Sequence, residues 1–249
     1  MSLPELDTGV TNDVGRLVIN RPDVHNALTR RMWEELPKAL AELKDAGAKV
    51  VVISGRGESF AAGADLSELE ALTTYEGARE HWFAIRDSLT YLRHFELPTL
   101  AMVNGPCLGG GCLIALACDL RFASLDAVFG VPIARLGIVL DDTNIGWLTS
   151  LVGPCLAKEM LFSGATIPAT RAAQIGLINQ AVAADQLKPV TEAVVKRIAG
   201  NAQQSIVEAK RSVARWLEYG AGANQDEQTV VNSYLSEEFR SRVARATQS

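Results

Sequence analysis

Residues 104–113 read Asn104-Gly105-Pro106-Cys107-Leu108-Gly109-Gly110-Gly111-Cys112-Leu113. This glycine-rich stretch, called here the second loop, follows the apolar run 99–103 and precedes another apolar run. It therefore predicts a buried strand, a turn and the start of a helix. The glycines would either allow close packing of that helix or expose a backbone N–H group at the positive end of its dipole. The residues alone leave both interpretations open.

A similar stretch occurs earlier, at residues 55–66, and reads GRGESFAAGADL. This first loop follows a predicted strand and leads into a short helix that Asp65 or Ser67 would cap. Taken alone, it is equally consistent with a plain turn. Two such loops, however, allow two backbone N–H groups to converge on one oxygen atom. That arrangement is an oxyanion hole, which stabilises the negative charge that develops on a thioester carbonyl.

The hydrophobic pattern changes character near residue 182. Before it, predicted strands at 14–20, 49–54, 99–103 and 120–123 alternate with helical patterns, which indicates an α/β core. One helix is capped by Thr29, with a kink or a late start at Pro37. Another, over 75–95, is expected to face the core with Trp82, Phe83, Ile85, Leu89 and Leu92. After residue 182, helices are predicted over 186–199, 203–219 and about 224–246, so we expect two regions, 1–182 and 183–249.

Composition and charge exclude several classes of protein. The chain has 249 residues, 48% of them hydrophobic, and a net charge of −5, which argues against a nucleic-acid partner. The segment 99–118 is uncharged, but Asn104, Pro106 and the glycines interrupt it, so it predicts buried core and no membrane association. The amino terminus lacks the pattern of a signal peptide, and the cysteines lack metal-ligand spacing. We expect a cytoplasmic protein without a metal site.

Several segments together resemble the crotonase superfamily, the enoyl-CoA hydratase/isomerase group. Residues 21–28, RPDVHNAL, are similar to the family segment RPxxxNAL, which lines the coenzyme A channel. Residues 60–66 and 104–112 are similar to the two oxyanion loops of the family. The segments 129–132 and 177–179 also fit, and the order is correct over nearly the whole chain.

The resemblance implies an α/β fold, a crotonase-like ββα spiral with a helical C-terminal trimerisation region. A homotrimer or homohexamer would follow, with an acyl-CoA as substrate, coenzyme A present only as part of that thioester, and no bound cofactor. The oxyanion donors would be the backbone N–H groups of Ala64 and Gly110. The residues expected to contact substrate or coenzyme A are Val24, His25, Ala27, Ala62, Gly63, Asp65, Leu66, Gly109, Leu113 and Ile133.

Two departures from the family pattern concern the reaction itself. Hydratases of this family use two glutamates to orient and activate water. The corresponding positions in this chain are Leu113 and Ile133. Neither aliphatic side chain can accept or deliver a proton, so we do not expect ordinary hydratase activity.

Asp141 is the candidate that could replace the glutamates. It falls where the catalytic aspartate stands in some enoyl-CoA isomerases, which shuttle a proton, and in 4-chlorobenzoyl-CoA dehalogenase, which uses it as a nucleophile. The apolar residues Ile138, Val139 and Leu140 would favour the neutral carboxyl group that proton shuttling requires. Alternatively, Asp141 merely caps the following helix, although Asp142 fits the cap better.

The leading hypothesis is an enoyl-CoA isomerase in which Asp141 moves a proton while Ala64 and Gly110 stabilise an enolate. Dehalogenation or thioester hydrolysis by a nucleophilic Asp141 is an alternative. The dehalogenase relative has a tryptophan at the position of Ile133, which argues against an aromatic ring as substrate. Decarboxylation, which needs only the oxyanion hole, and a catalytically silent acyl-CoA-binding protein are further alternatives.

Overall fold

The computed structural model describes residues 3–219 together with residues 236, 237, 239 and 241. The chain divides into two compact units, residues 1–199 and 200–249. Within the described residues, every strand belongs to the first unit. The two loops singled out from the sequence lie in this unit as well.

The secondary-structure elements are as follows. The strands are β1 Leu6–Thr11, β2 Val14–Ile19, β3 Val50–Gly55, β4 Thr99–Val103, β5 Pro106–Leu108, β6 Leu120–Ser124, β7 Val128–Gly130, β8 Ile167–Pro168 and β9 Gln180–Val182. The helices are α1 Arg30–Asp45, α2 Leu66–Glu70, α3 Tyr75–His94, α4 Gly110–Ala117, α5 Ile133–Leu136, α6 Asp142–Ser163, α7 Ala169–Gln174, α8 Ala184–Gly200 and α9 Gln203–Tyr219. A short 3-10 helix covers Pro22–Val24.

The larger sheet has the strand order β1-β2-β3-β4-β6-β9. β1 and β2 form an antiparallel hairpin, and Asn12 and Asp13 turn the chain with φ of 52° and 66°. Positive φ at both positions is typical of a type I′ turn, whose twist matches that of the two strands in a two-residue hairpin. The other neighbours run parallel. Val51 and Ile53 of β3 enter one core cluster and Val50 and Val52 another, so the sheet is buried on both faces.

Three successive passes of the chain repeat one pattern. β4 lies in the large sheet, β5 in the small sheet β5-β7-β8, and α4 follows; β6, β7 and α5 repeat this order. β3 precedes them, and after it Ala61 forms a parallel bridge with Cys107 of β5 before α2 begins. Equivalent strands of successive passes are hydrogen-bonded in parallel. Each pass is therefore a ββα unit stacked on the preceding one.

Helix α1 begins where the sequence predicts and runs on past its proline. The Thr29 side chain accepts a hydrogen bond from Met32 N at 3.2 Å and caps the helix. The late start that Pro37 could have caused is wrong, because the helix extends over Arg30–Asp45 with Pro37 inside it. The buried face of α1 includes Trp33 and Leu40, which pack into the main core cluster.

Helix α3 faces the core largely as its apolar residues predict, except at Trp82. Leu89 and Leu92 are buried as expected, but Trp82 is 44% exposed. The polar residues His81, Ser88 and Arg93 of this helix are also buried. The apolar pattern alone could not reveal these buried polar residues.

Hydrogen bonds of Arg121, on β6, link the segment 177–179 to the end of α4. The Arg121 side chain is buried and donates hydrogen bonds to the carbonyl oxygens of Leu177 at 2.8 Å, Ala115 at 3.1 Å and Cys118 at 2.6 Å. The Asn179 side chain accepts a hydrogen bond from Arg121 N at 2.7 Å. Arg121 therefore joins the segment 177–179 to the carboxyl-terminal end of α4.

The carboxyl-terminal region is helical where it is described. α8 and α9 match the predicted helices 186–199 and 203–219 closely. Most of the helix predicted over 224–246 lies outside the described residues, and the division into regions 1–182 and 183–249 stays a prediction. In the described part of the chain, no helix is both long enough and apolar enough to cross a membrane. The uncharged segment 99–118 instead forms β4, β5 and α4, which are largely buried.

Candidate active site

The first loop pairs with residues 24–28 through the main chain. Ala62 N donates to His25 O at 2.9 Å, and Leu28 N donates to Gly63 O at 2.8 Å. Asp65 N donates to Leu28 O at 3.0 Å, and Leu28 and Ala64 form a parallel bridge. Two segments that are distant in sequence therefore lie side by side at one edge of the site.

The second loop lies on the other side of the first. Ala61 N donates to Pro106 O at 3.1 Å, and Leu108 N donates to Ala61 O at 2.9 Å. Gly109 N in turn donates to Gly130 O at 2.9 Å, at the end of β7. The segments 24–28, 60–65, 106–110 and 128–130 thus form one continuous ladder of main-chain hydrogen bonds.

The glycines of both loops are required by close contact. Gly63 has a φ of +109°, and a Cβ atom there would lie 3.2 Å from Leu108 O and 3.6 Å from Gly110 N. A Cβ atom on Gly110 would lie 2.8 Å from Cζ2 of Trp33. Close packing, the plainer of the two interpretations of these glycines, is therefore correct. It also brings the chain at Gly63, which precedes Ala64, next to Gly110.

Two backbone donors are free at this junction. Among the described residues, neither Ala64 N–H nor Gly110 N–H has a hydrogen-bond acceptor. Gly110 is the first residue of α4, so its N–H group lies at the positive end of the helix dipole. Both residues are partly accessible. Free donors on adjacent loops are what an oxyanion hole requires, and the role of these two donors in one stays a prediction.

Charged side chains hold the first loop in place. Arg21 Nη1 donates to Ala27 O at 2.7 Å and forms an ion pair with Asp65 Oδ2 at 2.9 Å. Asp65 also caps α2 by accepting hydrogen bonds from Ser67 N at 3.1 Å and Ser67 Oγ at 2.6 Å. The bonds from Ser67 and the nearby Arg21 lower the pKa of Asp65 below its usual 3.8. The carboxylate is thus ionised at neutral pH and joins the two segments.

The residues expected to contact coenzyme A differ in exposure. Val24 and His25 are exposed, and Leu66, the first residue of α2, is 65% exposed. Ala27 and Ala62 are partly buried. The His25 ring lies with Nδ1 3.3 Å from Ser59 Oγ. The roles of these residues in binding stay a prediction.

Aliphatic side chains occupy the two positions that are predicted to correspond to the hydratase glutamates. Leu113 is in the first turn of α4 and is buried, whereas Ile133 begins α5 and is partly buried. Both pack into the main core cluster, to which Leu140 also contributes. At these two positions there is no group that could hold or activate a water molecule.

Asp141, and not Asp142, caps helix α6. The Asp141 side chain accepts a hydrogen bond from Asn144 N at 3.1 Å through Oδ1, and from Asn144 Nδ2 at 2.6 Å through Oδ2. Asp142 is the first helical residue and is exposed. The expectation that Asp142 is the cap is therefore wrong, because it lies one position too late to reach the free N–H groups.

The apolar surroundings expected for Asp141 are also different. Val139 is 92% exposed and Ile138 is exposed as well, so within this chain they do not enclose the carboxylate. The polar neighbours that the sequence reasoning missed are Asn144, which is buried, and Arg93 of α3, which donates from Nη2 to Asn144 Oδ1. The spacing Asp-x-x-Asn is a cap signal that could have indicated Asn144. Nothing local indicates Arg93, which is 51 residues away.

Comparison with known proteins identifies the family. Residues 9–244 match the family model described as enoyl-CoA hydratase/isomerase. The chain belongs to this family. The short-chain-enoyl-CoA hydratase of Clostridium acetobutylicum is 36% identical over 209 residues, which cover 82% of this chain and 79% of the relative. The crotonyl-CoA hydratase of Syntrophomonas wolfei is 35% identical over 222 residues, covering 88% and 81%.

Solved structures of the enoyl-CoA hydratase/isomerase family confirm the predicted fold class. A member from Hyphomonas neptunium superimposes with a TM-score of 0.91 at 29% identity, covering 98% of this chain and 95% of that one. A protein from Geobacillus kaustophilus described as an enoyl-CoA hydratase subunit superimposes with a TM-score of 0.90 at 31% identity, covering 100% and 96%. The α/β crotonase-like ββα spiral and the helical carboxyl-terminal region are therefore correct. Assembly into a trimer or hexamer stays a prediction.

Proposed function

We propose that this member of the enoyl-CoA hydratase/isomerase family moves the double bond of an enoyl-CoA thioester. The observation that carries the proposal is a pair of free backbone donors next to two aliphatic residues. Ala64 and Gly110 can stabilise an oxyanion, whereas Leu113 and Ile133 cannot activate water. A reaction that passes through an enolate without adding water fits this combination.

In the proposed reaction, the carboxylate of Asp141 removes a proton from C2 of a 3-enoyl thioester. The electron pair moves toward the carbonyl group, and the resulting enolate oxygen accepts hydrogen bonds from the N–H groups of Ala64 and Gly110. The protonated Asp141 then delivers the proton to C4, and the double bond forms between C2 and C3. Substrate and product are isomers, so the reaction consumes no water and no cofactor.

Several features support Asp141 as the proton carrier. Its helix, α6, contacts α4, whose first residue is Gly110, and α5, whose first residue is Ile133. Its side chain is partly accessible and has a defined orientation. The relatives described above are named hydratases. We propose a different reaction for this chain because its residues 113 and 133 are leucine and isoleucine.

The test compares isomerisation with hydration in the same preparation. A 3-enoyl-CoA ester is converted to the conjugated 2-enoyl ester, which is followed by ultraviolet absorbance, and crotonyl-CoA is assayed in parallel for its 3-hydroxy product. We expect isomerisation to exceed hydration by at least about tenfold, since general acid/base groups typically contribute 100-fold or more. Faster hydration of crotonyl-CoA would overturn the proposal.

Asp141→Asn separates the proton carrier from binding. The amide cannot accept the substrate proton, so we expect isomerisation to fall at least about 100-fold. The affinity for a saturated acyl-CoA, measured by calorimetry, is expected to stay within about threefold, because Asp141 acts on the proton and not on the thioester oxygen. Asp142→Asn, which removes the neighbouring exposed carboxylate, is the matched control and should remain active. Full activity of Asp141→Asn would contradict the assignment.

A further inference from the structure

A buried cation lies behind the proposed proton carrier. The Arg93 side chain on α3 is only 7% exposed, and among the described residues its Nε atom has no hydrogen-bond acceptor. Its guanidinium carbon is 5.4 Å from the centre of the Trp147 ring on α6, within range of a cation–π contact. Burial lowers the pKa of Arg93 to about 10, so the group is still charged at neutral pH. A buried charge of this kind is costly, and its position needs an explanation.

Asn144 connects this cation to Asp141. Arg93 Nη2 donates to Asn144 Oδ1, and Asn144 Nδ2 donates to Asp141 Oδ2 at 2.6 Å. A guanidinium group can only donate, so the amide oxygen of Asn144 must face Arg93 and its NH₂ group must face Asp141. Arg93 therefore fixes the orientation of the amide. Asn144 N–H holds the other carboxylate oxygen at 3.1 Å.

We propose that Asn144, oriented by Arg93, is a positioning residue that holds the Asp141 carboxylate aimed for proton transfer. This inference rests on the proposed function of Asp141. Both carboxylate oxygens are held by one residue, which restricts rotation of the side chain. Each oxygen keeps a further lone pair for a substrate proton. The bond from Arg93 also polarises the amide, which strengthens its donation to Asp141.

Charge supports the same arrangement. Asp141 is the acidic group whose charge raises the pKa of Arg93 against the effect of burial. The amide keeps the two charges from direct contact. A direct ion pair would occupy the carboxylate with the strong donors of the guanidinium group.

The experiment is a double-mutant cycle on isomerisation. Asn144→Ala and Arg93→Met are each expected to lower kcat at least tenfold while KM changes less than threefold, because neither residue contacts the thioester. If Arg93 acts through Asn144, the double variant loses no more than the worse single variant. If the losses in kcat of the two single variants multiply in the double variant, Arg93 does not act through Asn144 and the inference is overturned. A loss of activity that appears only as a change in KM would overturn it as well.

Control variants separate positioning from folding. Arg86→Met removes an arginine from the same helix that packs on Phe83 and Trp82, and is expected to leave kcat unchanged. Arg93→Lys keeps the charge and is expected to retain more activity than Arg93→Met. If Arg93→Met fails to fold, Asn144→Ala alone tests the inference. That variant keeps the backbone N–H of residue 144, so Asp141 can still cap α6. If Asn144→Ala is fully active and Asp141→Asn is inactive, this inference is refuted and the proposed function stands. If Asp141→Asn is active, the proposed function itself is refuted.

Discussion

Replacing Gly111 by alanine tests whether the spacing of the two loops controls stability and activity together. A Cβ atom on Gly111 would lie 2.6 Å from Cβ of Ala61 and 2.9 Å from its carbonyl carbon. Carbon atoms in contact prefer about 3.5 to 4.0 Å, so the first loop must move by roughly 1 Å. Overpacking of this kind costs about 1 to 3 kcal/mol. We expect a loss of that size in the free energy of unfolding, measured by urea denaturation.

Activity should fall with the same displacement. Ala61 is three residues before Ala64, so the shift moves one proposed oxyanion donor relative to the other on Gly110. A misplacement of about 1 Å can lower a rate by about 100-fold. We therefore expect kcat for isomerisation to fall by about 10-fold to 100-fold, measured on protein that is verified to be folded.

Gly146→Ala is the matched control for this prediction. Gly146 lies in α6, and an added Cβ atom would have no neighbour within 4 Å. Alanine is favoured over glycine in an exposed helix by about 0.5 to 1 kcal/mol, so this variant should be more stable than the parent. The reasoning is refuted if both substitutions shift the urea midpoint in the same direction, or if Gly111→Ala keeps full stability and full kcat.

Three further predictions concern other parts of the first unit. Gly63→Ala and Gly47→Ala should each lower the free energy of unfolding by about 1 to 2 kcal/mol, because both glycines have a positive φ. Gly63→Ala should also lower isomerase activity, whereas Gly47→Ala should not, because only Gly63 faces the second loop. Arg121→Met removes three side-chain hydrogen bonds to buried carbonyl oxygens and should lower the free energy of unfolding by about 3 kcal/mol or more; an unchanged denaturation midpoint would contradict this. Burial lowers the pKa of His81 below 6.5, so the unfolded chain binds its proton more readily, and stability should fall as the pH drops below about 6.5. His81→Gln should flatten that part of the stability profile measured by denaturation between about pH 7 and pH 5.5, and an unchanged slope would contradict it.

Local signals in the sequence predicted the elements that have a strong cap or a strong period. Thr29 and Asp65 cap their helices as expected, because the side-chain oxygen reaches an N–H group two or three residues later. The strand Thr99–Val103 agrees with the prediction, since an apolar run bounded by turn residues has few alternatives. Pro37 misled the prediction of α1, because packing of the apolar face outweighs one missing hydrogen bond.

Short strands were harder to recognise. β5, β7 and β8 have only two or three residues each, too few for a periodic pattern. They form because successive ββα units stack and each pairs with the previous one. Yet these strands carry the second loop against Gly130 and so build the site.

Some features of the candidate site can also be identified from the sequence, and others cannot. The glycine loops can be identified from residue types, because backbone donors need small residues. The assignment of positions 113 and 133 to the hydratase glutamates comes from the family resemblance and stays a prediction. The inward position of Arg93 on α3 could not be identified, because an arginine in a helix is normally solvent-exposed.

The amino-acid order alone determined the two glycine loops, their helix caps and the aliphatic residues at 113 and 133, since each depends on near neighbours or on side-chain chemistry. Tertiary structure alone decided that Gly63 lies against the second loop and that Arg93 reaches Asn144 from 51 positions away. Those contacts arise only when strands stack and helices pack. The free energy of long-range packing is spread over the whole core and leaves no mark at any one position of the sequence.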